Sequence, residues 1–259
     1  MKIQVISDIH LEFNKKIPFF IKHTPDFVKA PYLFLLGDIG NPHIDLWQQF
    51  INWCEARYTR IFYVIGNHEY YGNSLAEIPD FIKTVFATKP KFTLLQSGVI
   101  ASLEDYKVIG CTLWSDIDIG TALLINDIHN IYDSCSSNRK KQHISLDTLQ
   151  NEYKKDKIWL ETVLNDLQTQ NGSNKIIVAT HHLPSMQLIP DKFQNPSDMK
   201  YARGFASNLD HIIPYATIWL FGHTHCHVDK ELNKTRCYAN PVGYPDEADT
   251  GFKVESIDL

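Results

Sequence analysis

The amino-acid sequence predicts an α/β fold, and three observations support this prediction. Short apolar runs rich in β-branched and aromatic residues recur along the chain, which is typical of buried strands. Segments in which apolar residues have helical spacing lie between several of these runs. Five of the runs end abruptly in glycine or in polar side chains, and open α/β sheets bind their ligands beyond the carboxyl ends of their strands.

The run at residues 61–65 shows this pattern most clearly. Its sequence, IFYVI, is apolar, β-branched and aromatic, and Gly66 ends it. Three polar residues follow directly, Asn67, His68 and Glu69, and nothing apolar separates them. The sequence therefore predicts a functional site at the end of this strand. We expect Glu69 to be structural, through a hydrogen bond to a nearby backbone amide or to a ligand histidine.

The other predicted strands have a similar composition and are separated by turn residues. Residues 92–111 predict three short strands divided by Gly98 and by Glu104-Asp105, which indicates an antiparallel part or a second sheet. A hairpin is predicted across Asn233-Lys234. The predicted strands cover residues 3–6, 32–36, 61–65, 92–95, 99–103, 107–111, 175–179, 217–221, 228–232, 236–239 and 252–257.

Four segments have the apolar spacing of helices. The longest, residues 146–167, places its apolar side chains on one face, and we expect Asn171-Gly172 to end it. Residues 11–29, 114–141 and 186–203 lack a clear period and are predicted to be loops near the site. The predicted helices cover residues 44–58, 75–87, 146–167 and 205–213.

Composition limits the classes of protein and of partner. The chain has 259 residues, of which 44% are hydrophobic, and we expect one domain over residues 1–259. Its formal net charge of -5 gives no basic excess, so a nucleic-acid partner is not expected. Five scattered cysteines form no CxxC pair, which favours reduced and buried thiols.

The sequence shows no targeting segment and no apolar run of membrane-spanning length. We therefore expect a cytoplasmic protein with no membrane partner, and the oligomeric state is left open.

The polar groups that follow the five strands are all able to bind metal. They are Asp8 and His10, Asp38, Asn67 and His68, His181 and His182, and His223 and His225. This set of carboxylates, imidazoles and an amide contains no thiolate, which favours Mn²⁺, Fe or Zn²⁺ in a catalytic site over a thiolate-rich structural zinc site. There are too many groups for one tetrahedral ion, which favours two ions that share one carboxylate.

Each of these residues also has a purely structural interpretation. Asp8 and Asp38 are common residue types in turns, and Asn67 is suited to a helix cap or to a left-handed backbone. If the backbone stays extended after the first strand, Asp8 and His10 point the same way because they are two residues apart. The structural interpretation is favoured for each residue alone, whereas five strand ends with metal-binding groups favour a common site.

The ordered motifs D-x-H, G-D, G-N-H-E, T-H-H and G-H-T-H, from Asp8 to His225, resemble those of the calcineurin-like metallophosphoesterase superfamily. The resemblance implies a four-layer α/β/β/α sandwich of two mixed sheets flanked by helices. It also implies a binuclear metal-dependent phosphoesterase that hydrolyses phosphate mono- or diesters. The reaction would be in-line attack by a metal-bridging hydroxide, with no covalent enzyme intermediate. The implied cofactors are two divalent ions, Mn, Fe or Zn, and the implied partner is a small-molecule phosphate ester.

The resemblance also assigns roles to individual residues. Asp8, His10 and His225 would bind the first ion, and Asp38 would bridge the two ions. Asn67, His223 and one residue of the pair His181-His182 would bind the second ion. We favour His181 because it directly follows the strand, in which case His182 would face the substrate or support another ligand. His68 would contact no metal and would stabilise the developing charge or protonate the leaving oxygen.

Several further residues are weaker candidates. Asp116, Asp118, Asn126 and Asp127 could contact substrate, but we expect them to be solvated at the surface. Arg203 could bind a phosphate through two hydrogen bonds, although a solvated loop arginine is the favoured interpretation. Support for the site from neighbouring positions is expected from Asn240, Gly243 and Tyr244.

One alternative function is a metallophosphoesterase fold that has lost catalysis and serves as a binding scaffold. The sequence of such a scaffold would be expected to lack some of the metal ligands. Every expected ligand and His68 are present in this chain, which favours the enzyme.

Overall fold

Two β-sheets packed face to face form the centre of the molecule. A computed structural model describes residues 1–18, 21, 26–134, 142–169, 175–195, 199–247 and 249–259. Between the sheets lies an apolar cluster to which both contribute, for example Val5 and Phe34 from one sheet and Val108 and Ile177 from the other. Successive strand residues face opposite sides of a sheet, so the alternate residues, such as Ile176 and Val178, pack outward.

The first sheet carries the strand ends that matter for the site. Its order is β13-β1-β2-β3-β4, in which β1 to β4 are parallel and β13 is antiparallel to β1. Because β1, β2 and β3 run in parallel, their carboxyl ends lie along one edge of the sheet. The strands are β1 (Lys2–Ile6), β2 (Tyr32–Leu36), β3 (Arg60–Val64), β4 (Phe92–Leu95) and β13 (Ile257–Asp258).

The second sheet has the order β11-β12-β10-β9-β6-β5. Its four inner strands are parallel, and antiparallel strands lie at both edges, so both sheets are mixed. The strands are β5 (Ile100–Leu103), β6 (Tyr106–Cys111), β9 (Lys175–Thr180), β10 (Ile218–Phe221), β11 (Val228–Leu232) and β12 (Thr235–Ala239). A small separate pair is formed by β7 (Tyr132–Ser134) and β8 (Gln142–His143).

Helices cover the outer faces of the sheets. Trp47 of the first helix and Phe86 of the second contact the ring of Tyr63 on β3, with ring centroids 6.1 and 5.5 Å apart. The longest helix buries a stripe of residues three or four apart against the other sheet. The α-helices are α1 (Asp45–Glu55), α2 (Ile78–Phe86), α3 (Ile119–Ala122), α4 (Asp127–Asn130), α5 (Leu146–Thr169) and α6 (Met199–Ala202). The layers are therefore helix, sheet, sheet and helix, which confirms the predicted sandwich.

The predicted helix at residues 205–213 is wrong. Leu183 donates its N–H to Phe205 O and accepts from Ser207 N–H, at 3.0 and 2.9 Å, so this segment pairs with the chain that follows β9. Only a short 3₁₀ turn, Ile213–Tyr215, follows it. Hydrogen bonds to another strand end thus replace those of a helix, although the apolar spacing is helical.

Other predicted boundaries shift by a few residues. The closing strand covers Ile257–Asp258 rather than 252–257, because the side chain of Asn240 bonds to both the N–H and the C=O of Lys253. The expected end of α5 at Asn171-Gly172 lies outside the described residues. Among the described helices, none combines the length and the apolar character that a membrane span requires. The single domain and the cytoplasmic location stay predictions.

One buried carboxyl joins α5 to the second sheet. Asp156 accepts hydrogen bonds from Ser97 Oγ at 2.5 Å and from the N–H of Leu113 at 3.0 Å. Leu113 directly follows the turn after β6 and has a φ of 53°, so this bond stabilises a left-handed backbone conformation. Burial raises the pKa of Asp156 to about 6.

We predict that Asp156→Asn changes the pH dependence of stability. The pKa of Asp156 is about 6 in the fold and near 3.8 in the unfolded chain, so the stability that this carboxyl contributes in its neutral form is lost as pH rises from about 4 to 6. The neutral amide keeps the shape of the group and does not titrate. The free energy of unfolding of Asp156→Asn should therefore rise relative to that of the wild type by roughly 1–3 kcal/mol over this pH range, since one pKa unit equals about 1.4 kcal/mol.

Urea unfolding of the metal-free wild type and variant between pH 4 and 7 measures this difference. The matched control is Asp166→Asn, at an exposed position of the same helix. A difference between wild type and Asp156→Asn that stays constant with pH would contradict the prediction.

Candidate metal centre

The candidate ligands lie where the strand ends of the two sheets meet. Asp8, Asp38 and Asn67 follow the parallel strands β1, β2 and β3, whereas His181 and His223 follow β9 and β10. Hydrogen bonds join neighbouring strand ends within each sheet. Asp8 N–H donates to Gly37 O, and Gly222 N–H donates to His181 O, each at 3.0 Å.

Left-handed backbone conformations shape these strand ends. Positive φ angles between 48° and 74° occur at Asp8, His10, Asp38, His223 and His225. Each non-glycine residue in this region costs on the order of 1–2 kcal/mol, and such conformations cluster at functional sites. The backbone from Asp8 to His10 is therefore not extended, so the condition under which the sequence predicted that both side chains point the same way is not met, although these side chains do meet.

Two glycines of the motifs make room for the ligands. A Cβ atom at Gly66 would lie 2.2 Å from Asp38 Oδ1. At Gly37, which has a φ of 82°, a Cβ would lie 2.5 Å from His181 Nδ1. Any side chain at either position would displace a candidate ligand, so glycine is needed there for close approach.

Asp8, His10 and His225 form the first group of converging donors, and all three are buried. His10 Nε2 and His225 Nε2 lie 3.0 Å apart, and His225 Nε2 lies 3.5 Å from Asp8 Oδ1. Two ring nitrogens that face each other share at most one proton. Their lone pairs and the carboxylate therefore converge on a point suited to a cation.

Asp38, Asn67, His181 and His223 form the second group. His181 Nε2 lies 3.0 Å from Asn67 Oδ1, 3.1 Å from His223 Nδ1 and 3.4 Å from Asp38 Oδ2. The same Asp38 oxygen lies 3.9 Å from His10 Nε2, so Asp38 stands between the two groups.

Acceptors behind the rings orient two of these histidines. His181 Nδ1 donates to the carbonyl of Leu36 at 2.8 Å, and His225 Nδ1 donates to Glu247 Oε2 at 2.5 Å. With the proton on Nδ1, the Nε2 lone pair of each ring points into the cluster, the arrangement in which ligand histidines are held. Glu247 was not identified from the sequence, and its position in a loop far along the chain gives no local signal.

Glu12 links a candidate metal ligand to the candidate catalytic histidine. Its Oε1 atom accepts from His10 Nδ1 at 3.1 Å and from His68 Nδ1 at 2.9 Å. Sequence reasoning missed Glu12, although its place two residues after His10 in a short 3₁₀ turn was a usable signal. Burial lowers the pKa of His68, but the charges of Asp38 and Glu12 outweigh it and the net shift is upward.

The other histidines of the site differ in the direction in which their pKa is shifted. Burial opposes protonation throughout, but nearby carboxylates raise the pKa of His181 to about 9 and that of His225 to about 10. In contrast, burial and neighbouring histidines lower the pKa of His182 to about 3 and that of His223 well below its ordinary value. The carboxylates thus attract positive charge to the centre of the cluster.

Asp127 orients the amide of Asn67. Asn67 Nδ2 donates to Asp127 Oδ1 at 2.9 Å and to the Tyr71 hydroxyl at 3.2 Å, which leaves its Oδ1 facing His181. The expectation that Asp127 is solvated is wrong, because it is only 5% exposed. Burial raises the pKa of this carboxyl. Asn67 makes no side-chain cap bond and has a φ of -72°, so the structural alternatives for it are not observed.

Glu69 has the structural role predicted for it. Its carboxyl accepts from the N–H groups of Asp38, Ile39 and Gly66 at 2.8–2.9 Å and from the Tyr63 hydroxyl at 2.7 Å. These four donors favour the ionised form of Glu69 and so lower its pKa. Burial and the charge of Asp38 outweigh them and raise the pKa of Glu69 to about 7. Glu69 thereby ties the loop after β2 to the loop after β3.

The remaining candidates lie around the cluster. His182 is buried beside it, with Nδ1 3.3 Å from Thr112 O, and is not among the groups of described residues that could hold a metal. Tyr244 places its hydroxyl 3.3 Å from His68 Nε2. Arg203 is exposed and pairs with Asp118 at 3.3 Å, as expected of a solvated loop arginine.

The donor set fits a divalent metal. Carboxylate and imidazole atoms lie within 4.8 Å of one another in each of three groups, without thiolates, which suits Mn²⁺, Fe or Zn²⁺. Every residue of these groups is buried except the half-buried His223, and the groups are Asp8, His10 and His225; His10, Asp38 and His68; and Asp38, His181 and His223. The role of each residue as a ligand stays a prediction, as does the choice of His181 over His182.

Comparison with solved structures identifies several proteins with a similar fold. The phosphopantetheinyl hydrolase PptH of Mycobacterium tuberculosis superposes with a TM-score of 0.70 at 15% identity, covering 94% of this chain and 90% of that one. TT1561 of Thermus thermophilus gives 0.55 at 14% identity, covering 93% and 88%. A putative 5'-nucleotidase of Staphylococcus aureus, in complex with alpha-ketoglutarate, gives 0.51 at 14%, covering 92% and 48%. At these identities the likeness shows the fold alone.

Sequence comparison goes further. The chain is 31% identical over 277 residues to the uncharacterized protein L509 of Acanthamoeba polyphaga mimivirus, covering 99% of this chain and 96% of that protein. Residues 1–227 match the family described as calcineurin-like phosphoesterase, which is most of the chain. The chain therefore belongs to the calcineurin-like phosphoesterase family.

Proposed function

We propose that this protein hydrolyses phosphate mono- or diesters with two divalent metal ions, Mn, Fe or Zn. The observation that carries the proposal is the convergence of two largely buried donor groups that meet at Asp38, beside a cavity of about 380 Å³ that His68 also lines. A cavity of this size suits a small-molecule ester. Cytoplasmic location is part of the same proposal.

The metal ions, when bound, would supply an activated water and neutralise charge on the phosphate oxygens. The chain provides the remaining parts of the site. Asp38 is placed to be shared between the two positions, since its Oδ2 faces both His10 and His181. The N–H of His68 holds the other oxygen of Asp38 at 2.8 Å, which fixes the carboxylate.

His68 is the candidate for the second catalytic role. Glu12 binds its Nδ1 atom, so its Nε2 atom faces the cavity and the Tyr244 hydroxyl. In this orientation His68 would either stabilise the charge that develops on the phosphoryl group or protonate the leaving oxygen. Glu12 would act as a positioning residue.

We predict that Asp38→Ala and His68→Ala separate metal binding from catalysis. Asp38→Ala should remove metal and activity together, because both donor groups lose their common carboxylate. His68→Ala should keep its metal and lower kcat by roughly 10²–10⁴-fold, the range for a general acid. The assays are metal analysis and turnover of p-nitrophenyl phosphate and its bis ester with Mn²⁺, with chelator as the control.

Loss of metal in His68→Ala would contradict its assigned role. No turnover of either ester by the wild type with two metals bound would favour the scaffold function instead.

We predict that Glu12→Gln reveals which role His68 has. If His68 protonates the leaving oxygen, alkyl phosphates need it more than p-nitrophenyl phosphate, whose leaving group is stable as an anion. The loss of kcat in Glu12→Gln should then grow with the pKa of the leaving alcohol, up to about 100-fold. With Mn²⁺ saturating, so that the bond between Glu12 and His10 does not limit metal content, the same change made in the His68→Ala background should have little further effect on kcat. Equal losses for all leaving groups would instead indicate charge stabilisation.

We predict that Asp127→Ala weakens metal binding without unfolding the protein. Loss of the carboxylate frees the Asn67 amide to turn, and loss of such an orienting partner typically lowers metal affinity about 10–100-fold. Titration of the metal-free protein with Mn²⁺ measures the change. Asp116→Ala, an exposed aspartate of the same segment, is the matched control. Wild-type affinity in Asp127→Ala would show that Asn67 needs no orienting partner.

A further inference from the structure

The cavity beside the metal centre is lined by polar residues at its floor and by mostly apolar residues elsewhere. The floor is formed by candidate ligands and His68, whereas the wall and rim carry Leu124, Ile125, Phe193, Tyr201, Phe205 and Tyr244. These residues come from three separate segments of the chain. Leu124, Tyr201 and Tyr244 remain 40–42% exposed, so apolar surface is left uncovered at the mouth.

Aromatic rings flank the metal centre on both sides. Phe205 contacts the ring of His223 edge-on, with centroids 5.3 Å apart, and Phe193 lies 5.5 Å from Phe205. On the opposite side, the ring of Tyr244 lies 4.3 Å from that of His10 and 4.6 Å from that of His225. The organic group of a phosphate ester bound at the metal centre would therefore extend away from the phosphate between these aromatic rings.

The charges around the cavity disfavour a second anion. Among the described residues that line it, none is lysine or arginine, whereas Asp127 and Glu247 add carboxyl groups. Two cations close to the cavity are already paired. Lys192 lies 3.7 Å from Glu247, and Arg203 lies 3.3 Å from Asp118 in a neighbouring hollow. The cavity lining itself therefore offers positive charge at the metal centre and His68, which a single phosphoryl group would occupy, whereas Lys192 lies beyond the lining and is paired with Glu247.

We propose that the cavity selects phosphate esters whose organic group is uncharged and apolar or aromatic, with one phosphoryl group and no second anion. This inference rests on the proposed function and names the substrate class of the same site. Burial of an aromatic group against these walls supplies the affinity. The described lining has no lysine or arginine and carries the carboxyls of Asp127 and Glu247, which disfavours esters with a further phosphate or carboxylate.

The test compares three ligands that share the same phosphonate head: phenylphosphonate, methylphosphonate and 3-phosphonopropionate. Isothermal titration of the full chain loaded with Mn²⁺ gives each Kd without any need for turnover. Phenylphosphonate should bind about tenfold more tightly than methylphosphonate, because an aromatic group is removed from water against the apolar wall. The carboxylate ligand should bind no more tightly than methylphosphonate.

Two variants test whether residues of this cavity cause the binding preference. Leu124→Lys brings a cation to the rim and should tighten binding of 3-phosphonopropionate about threefold relative to methylphosphonate, as expected for an exposed ion pair. Leu123→Lys is the matched control, because Leu123 is 72% exposed and is not among the described residues that line the cavity. Phe205→Leu should reduce the preference for phenylphosphonate while metal content stays unchanged.

The outcomes separate this inference from the proposed function. Equal affinities for the three ligands, or tightest binding of 3-phosphonopropionate by the wild type, would overturn the inference even if esters are hydrolysed. Absence of ester hydrolysis alongside the expected order of affinities would overturn the proposed function and support the binding preference.

Discussion

The buried carboxylate of Asp38 is the constraint on which the rest of the site depends. It is 2% exposed, and an ionised group removed from water costs several kcal/mol unless partners compensate it. Burial alone would raise the pKa of Asp38, but the charges of His181 and His68 hold it well below its ordinary value. The ionised form therefore requires positive charge on both sides. This requirement explains why histidines from two different sheets surround one aspartate.

The backbone around Asp38 is held by the same network. Asp38 has a left-handed φ of 53°, and Glu69 binds its N–H as well as that of Ile39. The N–H of His10 donates to the carbonyl of Asp38 at 3.0 Å, so the loop after β1 is fixed as well. These strained strand ends are thus stabilised by hydrogen bonds from neighbouring ends. All three loops follow adjacent parallel strands of the first sheet, and the pairing of β1, β2 and β3 brings them together.

The α/β class and the polar groups at the strand ends could be predicted because they depend on local pattern, whereas the four-layer sandwich was implied by the resemblance of the ordered motifs to a known family. A buried strand followed by glycine and a polar group is visible within a few residues, as in the stretch from Ile61 to Glu69. Contacts between distant loops leave no such trace. Asp127 lies in a segment whose composition is typical of the surface. Only the fold brings it to the side chain of Asn67, which lies 60 residues earlier in the chain. The false helix after Gly204 has the same origin, because pairing with Leu183 overrides its apolar spacing.

The groups behind the histidines explain why chemically equal rings differ in charge. Burial lowers the pKa of His225, but this ring lies between Asp8 and Glu247, and the two carboxylates raise its pKa to about 10. His223 has only the charge of Asp38 to offset burial and three neighbouring histidines, so its pKa falls well below the ordinary value. His225 thus lies between two carboxylates, whereas His223 lies among other histidines. Both rings follow the same strand, so the difference between their pKa values comes from the groups that the fold places around each ring.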